Sequence, residues 1–332
     1  MDKESPLIEF TALNLVGRST AFTKVLDIVK RIAGYDVSVA IYGETGTGKE
    51  LVARAVHYLS PRADGPFIPV NCGSLPDTLF ENEMFGHARG AFTDARIAQA
   101  GLIDHADGGT LFLDEIEALS LKSQAALLRF LQDKQYRPLG SKSLKIANVR
   151  IVTASNVAAS LLREQGLFRE DLYYRLNVMP LTLPPLRERV GDVELLAAHF
   201  MQSLRNRYAQ PEKQLSPAIS QWITAHSWPG NVRELENTLH RAFLLSVDDT
   251  IEYEHLYFDE PGAGKLPQAD TALNELPFNE AKTIAINEFE KNYLRVLIQQ
   301  VKGNVTRAAE RAHKERRSLG KLLKKHQIYY QA

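Results

Sequence analysis

The sequence is poor in cysteine. Cys72 is the only one among 332 residues, so no disulfide forms within the chain, and such scarcity suits a reducing compartment. Long apolar runs are lacking too. None approaches the roughly 20 residues that span a bilayer, and the opening Met1-Asp2-Lys3-Glu4-Ser5-Pro6 has no apolar signal-peptide core. These absences point to a cytoplasmic protein without membrane contact. Net charge is also lacking, since 40 basic side chains balance 40 acidic ones. The balance is uneven along the chain. From Gln300 to Ala332 nine Lys and Arg are set against two Glu, which makes that tail +7 and everything before it −7. A basic end of this kind suggests a nucleic-acid partner. Apolar residues are present in ordinary measure, 44%, over a length that holds two or three domains.

The chain is organised around Gly43-Glu44-Thr45-Gly46-Thr47-Gly48-Lys49. The apolar run 37–42 reads as a buried strand before it, and 50–59 reads as a helix after it. Strand, glycine-rich loop and helix make a phosphate cradle: the glycines let backbone N–H groups turn inward on an anion, and the helix presents its positive end to the same anion. A glycine-rich turn before a helix is the alternative, but it does not call for Lys49, a mobile charge for the outer phosphates. Glu50 stands where Ser or Thr usually contacts magnesium, so the metal has to be held elsewhere.

The second signal is Gly109-Thr110-Leu111-Phe112-Leu113-Asp114-Glu115, a buried strand ending in two carboxylates. Asp114 is suited to hold magnesium, directly or through water, and Glu115 to polarise an attacking water. Further strand candidates are 67–71, 149–155 and 178–183. Helical stretches separate them, including 123–132, and this alternation predicts a doubly wound parallel α/β sheet. Asn71 and Ser155-Asn156 close two of these strands. They either cap strand ends or face the outer phosphate, since ligands bind beyond the carboxyl ends of such strands. Arg169 and Arg175 lie six residues apart, within about two helical turns and roughly on one side. They are either solvated or lent to a transferring phosphoryl group, often one held by a neighbouring subunit.

After Pro184-Pro185 the pattern becomes all-helical, with helices expected over 193–207, 217–225 and 231–247. Trp228-Pro229-Gly230 is a turn, Asn231 an N-cap, and Glu234 its capping partner. Arg233 puts a cation on a first turn that prefers an anion, which suggests a phosphate partner. Residues 261–277 read as a flexible linker and 280–301 as a long amphipathic helix. Two close helices, 304–313 and 316–325, have the layout of a helix-turn-helix. The second carries Arg316, Arg317, Lys321, Lys324 and Lys325, enough to neutralise phosphates and reach base edges; a basic solvated face is the plainer alternative.

From Leu15 to the C-terminus the chain resembles the bacterial enhancer-binding proteins, activators of sigma-54 RNA polymerase built on an AAA+ ATPase. The motif that carries the resemblance is Gly43–Glu50, in which Glu50 is typical of the family. The resemblance implies a 1–14 extension, an α/β subdomain over 15–185 that meets sigma-54, a helical lid over 186–258, a linker over 259–278 and a Fis-type helix-turn-helix over 279–332. It implies ATP and Mg2+ as cofactors, bound by Gly43 to Glu50, by the stretch Ala106-Asp107-Gly108-Gly109-Thr110-Leu111-Phe112-Leu113-Asp114-Glu115, by Ser155 and Asn156 as first sensor and by Arg233 as second. Asn71 falls where the family couples nucleotide state to Glu115, and Arg169 and Arg175 fall at its trans-acting arginine fingers. Thr306, Arg307, Arg316, Arg317, Lys321 and Lys324 fall on the DNA-binding module. The implied partners are double-stranded upstream DNA, sigma-54 polymerase and a homo-oligomeric ring, a hexamer.

The family's polymerase-touching loop, G-A-F-T-G-A, here reads Gly90-Ala91-Phe92-Thr93-Asp94-Ala95. Asp reaches positive φ less readily than Gly and adds charge at the tip. ATPase activity is therefore expected to survive, with coupling to sigma-54 the sensitive link. The alternative is a DNA-binding regulator that uses the ATPase fold only to oligomerise; a weaker one is a remodeller whose basic tail binds something other than DNA. About fourteen residues before Leu15 are too few for a regulatory domain, so control is expected from elsewhere.

Overall fold

The computed structural model describes residues 10, 13–93, 95–159, 161, 168–252, 280, 282–283, 286–287, 290, 294, 297–298, 301, 305–312, 314 and 316–326. It divides into two compact units, Met1–Asp259 and Glu260–Ala332. The expected linker lies outside the described residues.

The first unit is built on a five-stranded sheet, β1 (Val39–Tyr42), β2 (Phe67–Asn71), β3 (Thr110–Asp114), β6 (Arg150–Ser155) and β7 (Met179–Thr182). The order is β2-β3-β6-β1-β7, with every pair parallel. The inner strands β1 and β6 are buried along their whole length, as a sheet covered on both faces requires. Proline is confined to the edges, Pro69 in β2 and Pro180 in β7, where a missing N–H leaves no gap in a ladder. Side chains alternate: Leu111 and Leu113 of β3 enter one apolar cluster, and Phe112 between them enters the other.

The second cluster is covered by α1 (Thr20–Ala33) and α2 (Lys49–Tyr58), the first by α3 (Asp77–Phe85), α5 (Leu121–Asp133) and α6 (Glu170–Leu176); α4 (Leu102–His105) is a single turn. Ser19 caps α1 by accepting from the Phe22 N–H, and Phe22, Val25, Leu26, Val29 and Ile32 form its buried stripe. Phe10 and Leu13 pack into the same cluster. Arg150 begins β6 nearly fully buried and donates to the carbonyls of Ile32 and Ala33 in α1 and Val56 in α2. It thereby adds a charged donor to carbonyls in the last turns of two helices. A hairpin, β4 (Gln135–Tyr136) and β5 (Lys145–Ile146), projects between α5 and β6.

The helical part consists of α7 (Asp192–Tyr208), α8 (Pro217–Ala225) and α9 (Asn231–Leu245), with the short parallel pair β8 (Gln214–Leu215) and β9 (Thr250–Ile251). Its core holds Leu196, Met201, Ile219, Leu235, Phe243 and Trp228, whose indole donates to the Ile223 carbonyl at 2.8 Å. The two subdomains are stapled by the buried carboxylate of Asp192, which is also paired with Arg189. Asp192 accepts from the N–H groups of Arg18 and Ser19, the Ser19 hydroxyl and Arg189 Nε, all within 2.9 Å. Burial works against ionised Asp192, but the Arg18 N–H, the Arg189 guanidinium and the Ser19 hydroxyl outweigh it and hold its pKa below the usual range. Gly17 is needed here, because a Cβ would come within 2.7 Å of both Arg189 and Asp192.

In the second unit α10 (Val305–Arg311) and α11 (Arg316–Lys325) pack Ala308, Ala309, Leu319 and Leu323 against Leu294, Leu297 and Ile298. Glu290 accepts from Lys325 and His326, each at 2.8 Å. Among the described residues no helix is long and apolar enough to cross a membrane.

Candidate active site

The register aligns the carboxyl ends of the strands. Tyr42 pairs with Ser155, and Asn71 with Asp114, so the residues beyond each strand meet at one edge. There residues 43–49 turn into α2. Gly46 and Gly48 have left-handed φ of 79° and 96°, which favours glycine at both. At Gly46 a Cβ would also lie 2.2 Å from the Gly230 carbonyl, so a larger residue would push away the start of α9. A cleft of about 390 Å³ opens beside the loop, lined by Thr45, Gly46, Gly48, Lys49, Glu50, Leu51, Asn71, Asp114, Glu115, Asn156, Val232, Arg233 and Glu236.

Lys49 is nearly buried and donates to Asn156 Oδ1 at 2.5 Å and to the carbonyls of Gly43 and Glu44 at 2.8 and 3.2 Å. Burial lowers its pKa, against the pull of Asp114 and Glu117. Asp114 Oδ1 accepts from the Glu115 N–H at 2.9 Å. Glu115 itself is held at φ 53°, a left-handed conformation unusual for this residue. A Cβ on Gly73 would lie 2.6 Å from its Oε2, so the carboxylate rests on that bare backbone. Asn71 lines the cleft too, its Oδ1 capping the turn Cys72–Ser74 through the Ser74 N–H at 3.1 Å. Beside it, burial pushes the Cys72 thiol up to about 12, which makes it inert as a nucleophile.

Several expected residues sit elsewhere. Of Ala106 to Glu115, only Asp114 and Glu115 line the cleft. A strand rises about 3.3 Å per residue, so Ala106, Asp107, Gly108 and Gly109 are left at the opposite edge of the sheet, where Asp107 accepts from the Asn148 N–H. Thr110, Leu111, Phe112 and Leu113 are interior. Ser155 does not line the cleft either; its hydroxyl closes a turn with the Val157 backbone. Its neighbour Asn156 supplies the polar contact. Glu50 lines the cleft and pairs with Arg54 one turn on, at 2.8 Å. Arg169 is the residue before α6, not part of it, so the two arginines do not share a helix face. Its half-exposed guanidinium is held by Asp171 at 2.7 Å. Arg175 donates to the carbonyls of Leu131 and Gln132 at the end of α5. Neither arginine lines the cleft of its own chain.

Asn231 is not the N-cap expected of it. Gly230 precedes α9, and its N–H donates to Glu234 Oε2 at 2.7 Å. Asn231 is instead fully buried at φ 54°, with its side chain on the phosphate loop: Nδ2 donates to the Thr45 carbonyl at 3.0 Å and to Glu44 Oε2 at 3.2 Å, and Oδ1 accepts from the Leu186 N–H at 2.8 Å. Arg187 completes the grip with bonds of 2.6 and 2.8 Å to the two Glu44 oxygens. These Arg187 bonds, then Asn231, draw the Glu44 pKa down to about 2. Its contribution is therefore full above about 4.5, the ordinary value, and is lost only as pH falls towards 2. Sequence reading also missed Glu117. Its Oε1 accepts from the Asn156 N–H at 2.9 Å, and its Oε2 is buried with no partner; the spacing Asp114-Glu115-Ile116-Glu117 was the available signal.

Gly90 N–H donates to the Ala95 carbonyl and Ala95 N–H to the Phe92 carbonyl. Phe92 and Thr93 are exposed, Ala91 half-buried and Ala95 buried. Asp94 lies outside the described residues. The stem is held by the β4–β5 hairpin, where Leu139 N–H donates to the Gly86 carbonyl and the Leu139 carbonyl accepts from the Ala88 N–H. In the second unit Thr306, Arg307, Arg316, Lys321 and Lys324 are exposed on α10 and α11; Arg317 is on α11, its side chain outside the described residues.

Residues 15–182 match the model of the sigma-54 interaction domain, and 187–265 that of the AAA+ ATPase lid domain. The chain is 43% identical over 314 residues to the transcriptional regulatory protein GlrR of Escherichia coli, covering 95% of this chain and 68% of GlrR. It is 39% identical over 324 residues to the nitrogen fixation protein AnfA of Azotobacter vinelandii, covering 97% of this chain and 59% of that protein. It is 47% identical over 243 residues to the DNA-binding transcriptional regulator NtrC of a Bradyrhizobium, covering 73% and 50%. The crystal structure of NtrX from Brucella abortus in complex with ADP superposes with a TM-score of 0.68 at 32% identity, covering 97% of this chain and 71% of that one; the ATP complex gives 0.67, covering 95% and 69%.

Proposed function

Because this chain belongs to the sigma-54-dependent transcriptional regulators and its AAA+ core is an ATPase, we propose that it is a cytoplasmic activator which binds upstream double-stranded DNA, assembles into a hexameric ring and remodels sigma-54 polymerase to open promoters. The single observation that carries this reading is the convergence of Lys49, Asp114, Glu115, Asn156 and Arg233 on one cleft beside the loop 43–49. The roles divide by chemistry. Backbone N–H groups of the loop and the Lys49 ammonium bind the phosphates. Asp114, with Glu115 beside it, would hold Mg2+, which when bound neutralises charge on the phosphate oxygens. An ion of this kind is held by one or two carboxylates, with substrate phosphates completing its shell. Glu115 takes a proton from the attacking water. Asn156, bonded to Lys49 and at the end of β6, orients the outer phosphate, and Asn71 relays nucleotide state from Glu115 through the turn it caps. Arg233 reaches the phosphates from the lid.

The force is delivered at residues 90–95. Phe92 and Thr93, exposed at the tip of a stem braced by Leu139, suit contact with a partner protein. DNA is held through Thr306, Arg307, Arg316, Arg317, Lys321 and Lys324, with α10 and α11 as a helix-turn-helix. One observation favours a second reading, in which the ring binds DNA without activating: Asp94 stands where the family's loop has glycine.

ATP-dependent open-complex formation by sigma-54 polymerase, on a promoter carrying this protein's binding site, separates the two. Wild type is expected to open the promoter and Glu115→Ala to fail. Hydrolysis without opening, restored by Asp94→Gly, would overturn activation in favour of the second reading.

A further inference from the structure

Glu44 is part of the phosphate loop, yet its carboxylate is not among the groups lining the cleft. It is spent on the other subdomain: both oxygens are taken by Arg187, and Oε2 also by Asn231. Arg187 lies in the short 3-10 turn Leu186–Glu188, where the chain leaves β7 through Pro184-Pro185 and enters the lid. Asn231 begins the last lid helix, and through three of its bonds it joins Thr45, Glu44 and Leu186. The backbone adds a further tie, since the N–H groups of Val232 and Arg233 meet the Gly46 carbonyl at 3.0 and 3.4 Å. A left-handed non-glycine residue is held by surroundings that over-determine it, and here the Leu186 N–H, the Glu44 carboxylate and the Thr45 and Pro229 carbonyls fix the Asn231 side chain. Three side chains thus span the hinge between the loop that holds the phosphates and the helices that cover them.

We propose that Glu44, Arg187 and Asn231 form a clasp that holds the helical subdomain closed over bound nucleotide and sets the rate at which ADP leaves. The inference rests on the assignment of the cleft as the nucleotide site. Glu44 and Arg187 are positioning residues, not catalytic ones. Product release requires the lid to swing off the loop, and such opening steps limit turnover in many enzymes. The clasp breaks before the lid can move. Arg187 lines the neighbouring cavity rather than the cleft, so removing it loosens the lid without touching the phosphate contacts.

Stopped-flow release of N-methylanthraniloyl-ADP from the full chain tests this, with Arg187→Ala, Glu44→Gln, their double variant and Arg187→Lys. Arg187→Ala and Glu44→Gln are each expected to speed release by about fivefold, the upper range for an exposed pair with two-point geometry. The double variant is expected to release no faster than Glu44→Gln alone, because Arg187→Ala removes only a contact that Glu44→Gln has already weakened. Arg187→Lys, which keeps the charge but not the fork, is expected to fall between. Wild-type release from Arg187→Ala, or a double variant whose effect is the product of the singles, overturns the clasp while leaving the site intact. Lys49→Ala marks the other failure: if it binds the probe as tightly as wild type, the site assignment falls and the clasp with it.

Discussion

Arg169→Ala is expected to slow ATP hydrolysis by about 10³-fold or more and to leave nucleotide binding unchanged, the effect of removing a guanidinium from the developing charge of a phosphoryl transfer. The geometry gives the reason to look for it in trans. Arg169 precedes α6, and its guanidinium is held by Asp171 on the surface, outside the cleft of its own chain. In the proposed ring, a residue so placed would contribute to hydrolysis by entering the cleft of another copy. Mixing is the sharper measurement. Arg169→Ala subunits keep Glu115, and Glu115→Gln subunits keep Arg169, so a ring containing both has some interfaces with a complete site. Two inactive proteins that regain hydrolysis on mixing support the trans role. Mixtures that stay inactive, or an Arg169→Ala protein that turns over normally, would remove Arg169 from the mechanism and leave Arg175 as the candidate.

The largest stability effect is expected at Asp192. Its carboxylate is fully buried, takes four hydrogen bonds and neutralises Arg189, itself buried beneath the Phe22 ring at 3.8 Å. Asp192→Ala leaves that guanidinium and three other donors without their acceptor, a loss of about 3–5 kcal/mol. For a domain of this size the melting temperature should fall by about 10 °C. The pH dependence has a definite sign. A carboxylate with depressed folded pKa contributes stability above its unfolded value of about 3.9, and that contribution fades as pH falls through the folded one. The gap between wild type and Asp192→Ala should therefore be full near neutrality and narrow in acid. A gap that does not change with pH would mean the ionised carboxylate is not what holds the subdomains together.

The sheet was legible because each of its strands is a short apolar run between turn-forming residues, and the observed strands fall within two residues of the expected ones. The phosphate loop and the carboxylates that end β3 were legible because their chemistry fixes residue type and spacing locally. Asp192 and Arg189 were not, because their meaning depends on Gly17, Arg18 and Ser19, at the far end of the subdomain's sequence. Asn231 was misread for a related reason. Asn before a helix with Glu three residues on is a local capping signal, but here Gly230 takes the cap and the buried amide answers the phosphate loop. Ser155 and Asn156 looked equivalent in sequence; strand geometry turns one hydroxyl back on its own backbone and sends the next side chain to Lys49.

The left-handed backbone of Glu115 costs roughly 1–2 kcal/mol that glycine would not incur. On the role proposed for Glu115, turnover keeps the position and thermal stability opposes it. A population selected only for heat resistance would drift towards glycine there, and its survivors would still bind nucleotide while having lost the means to hydrolyse it.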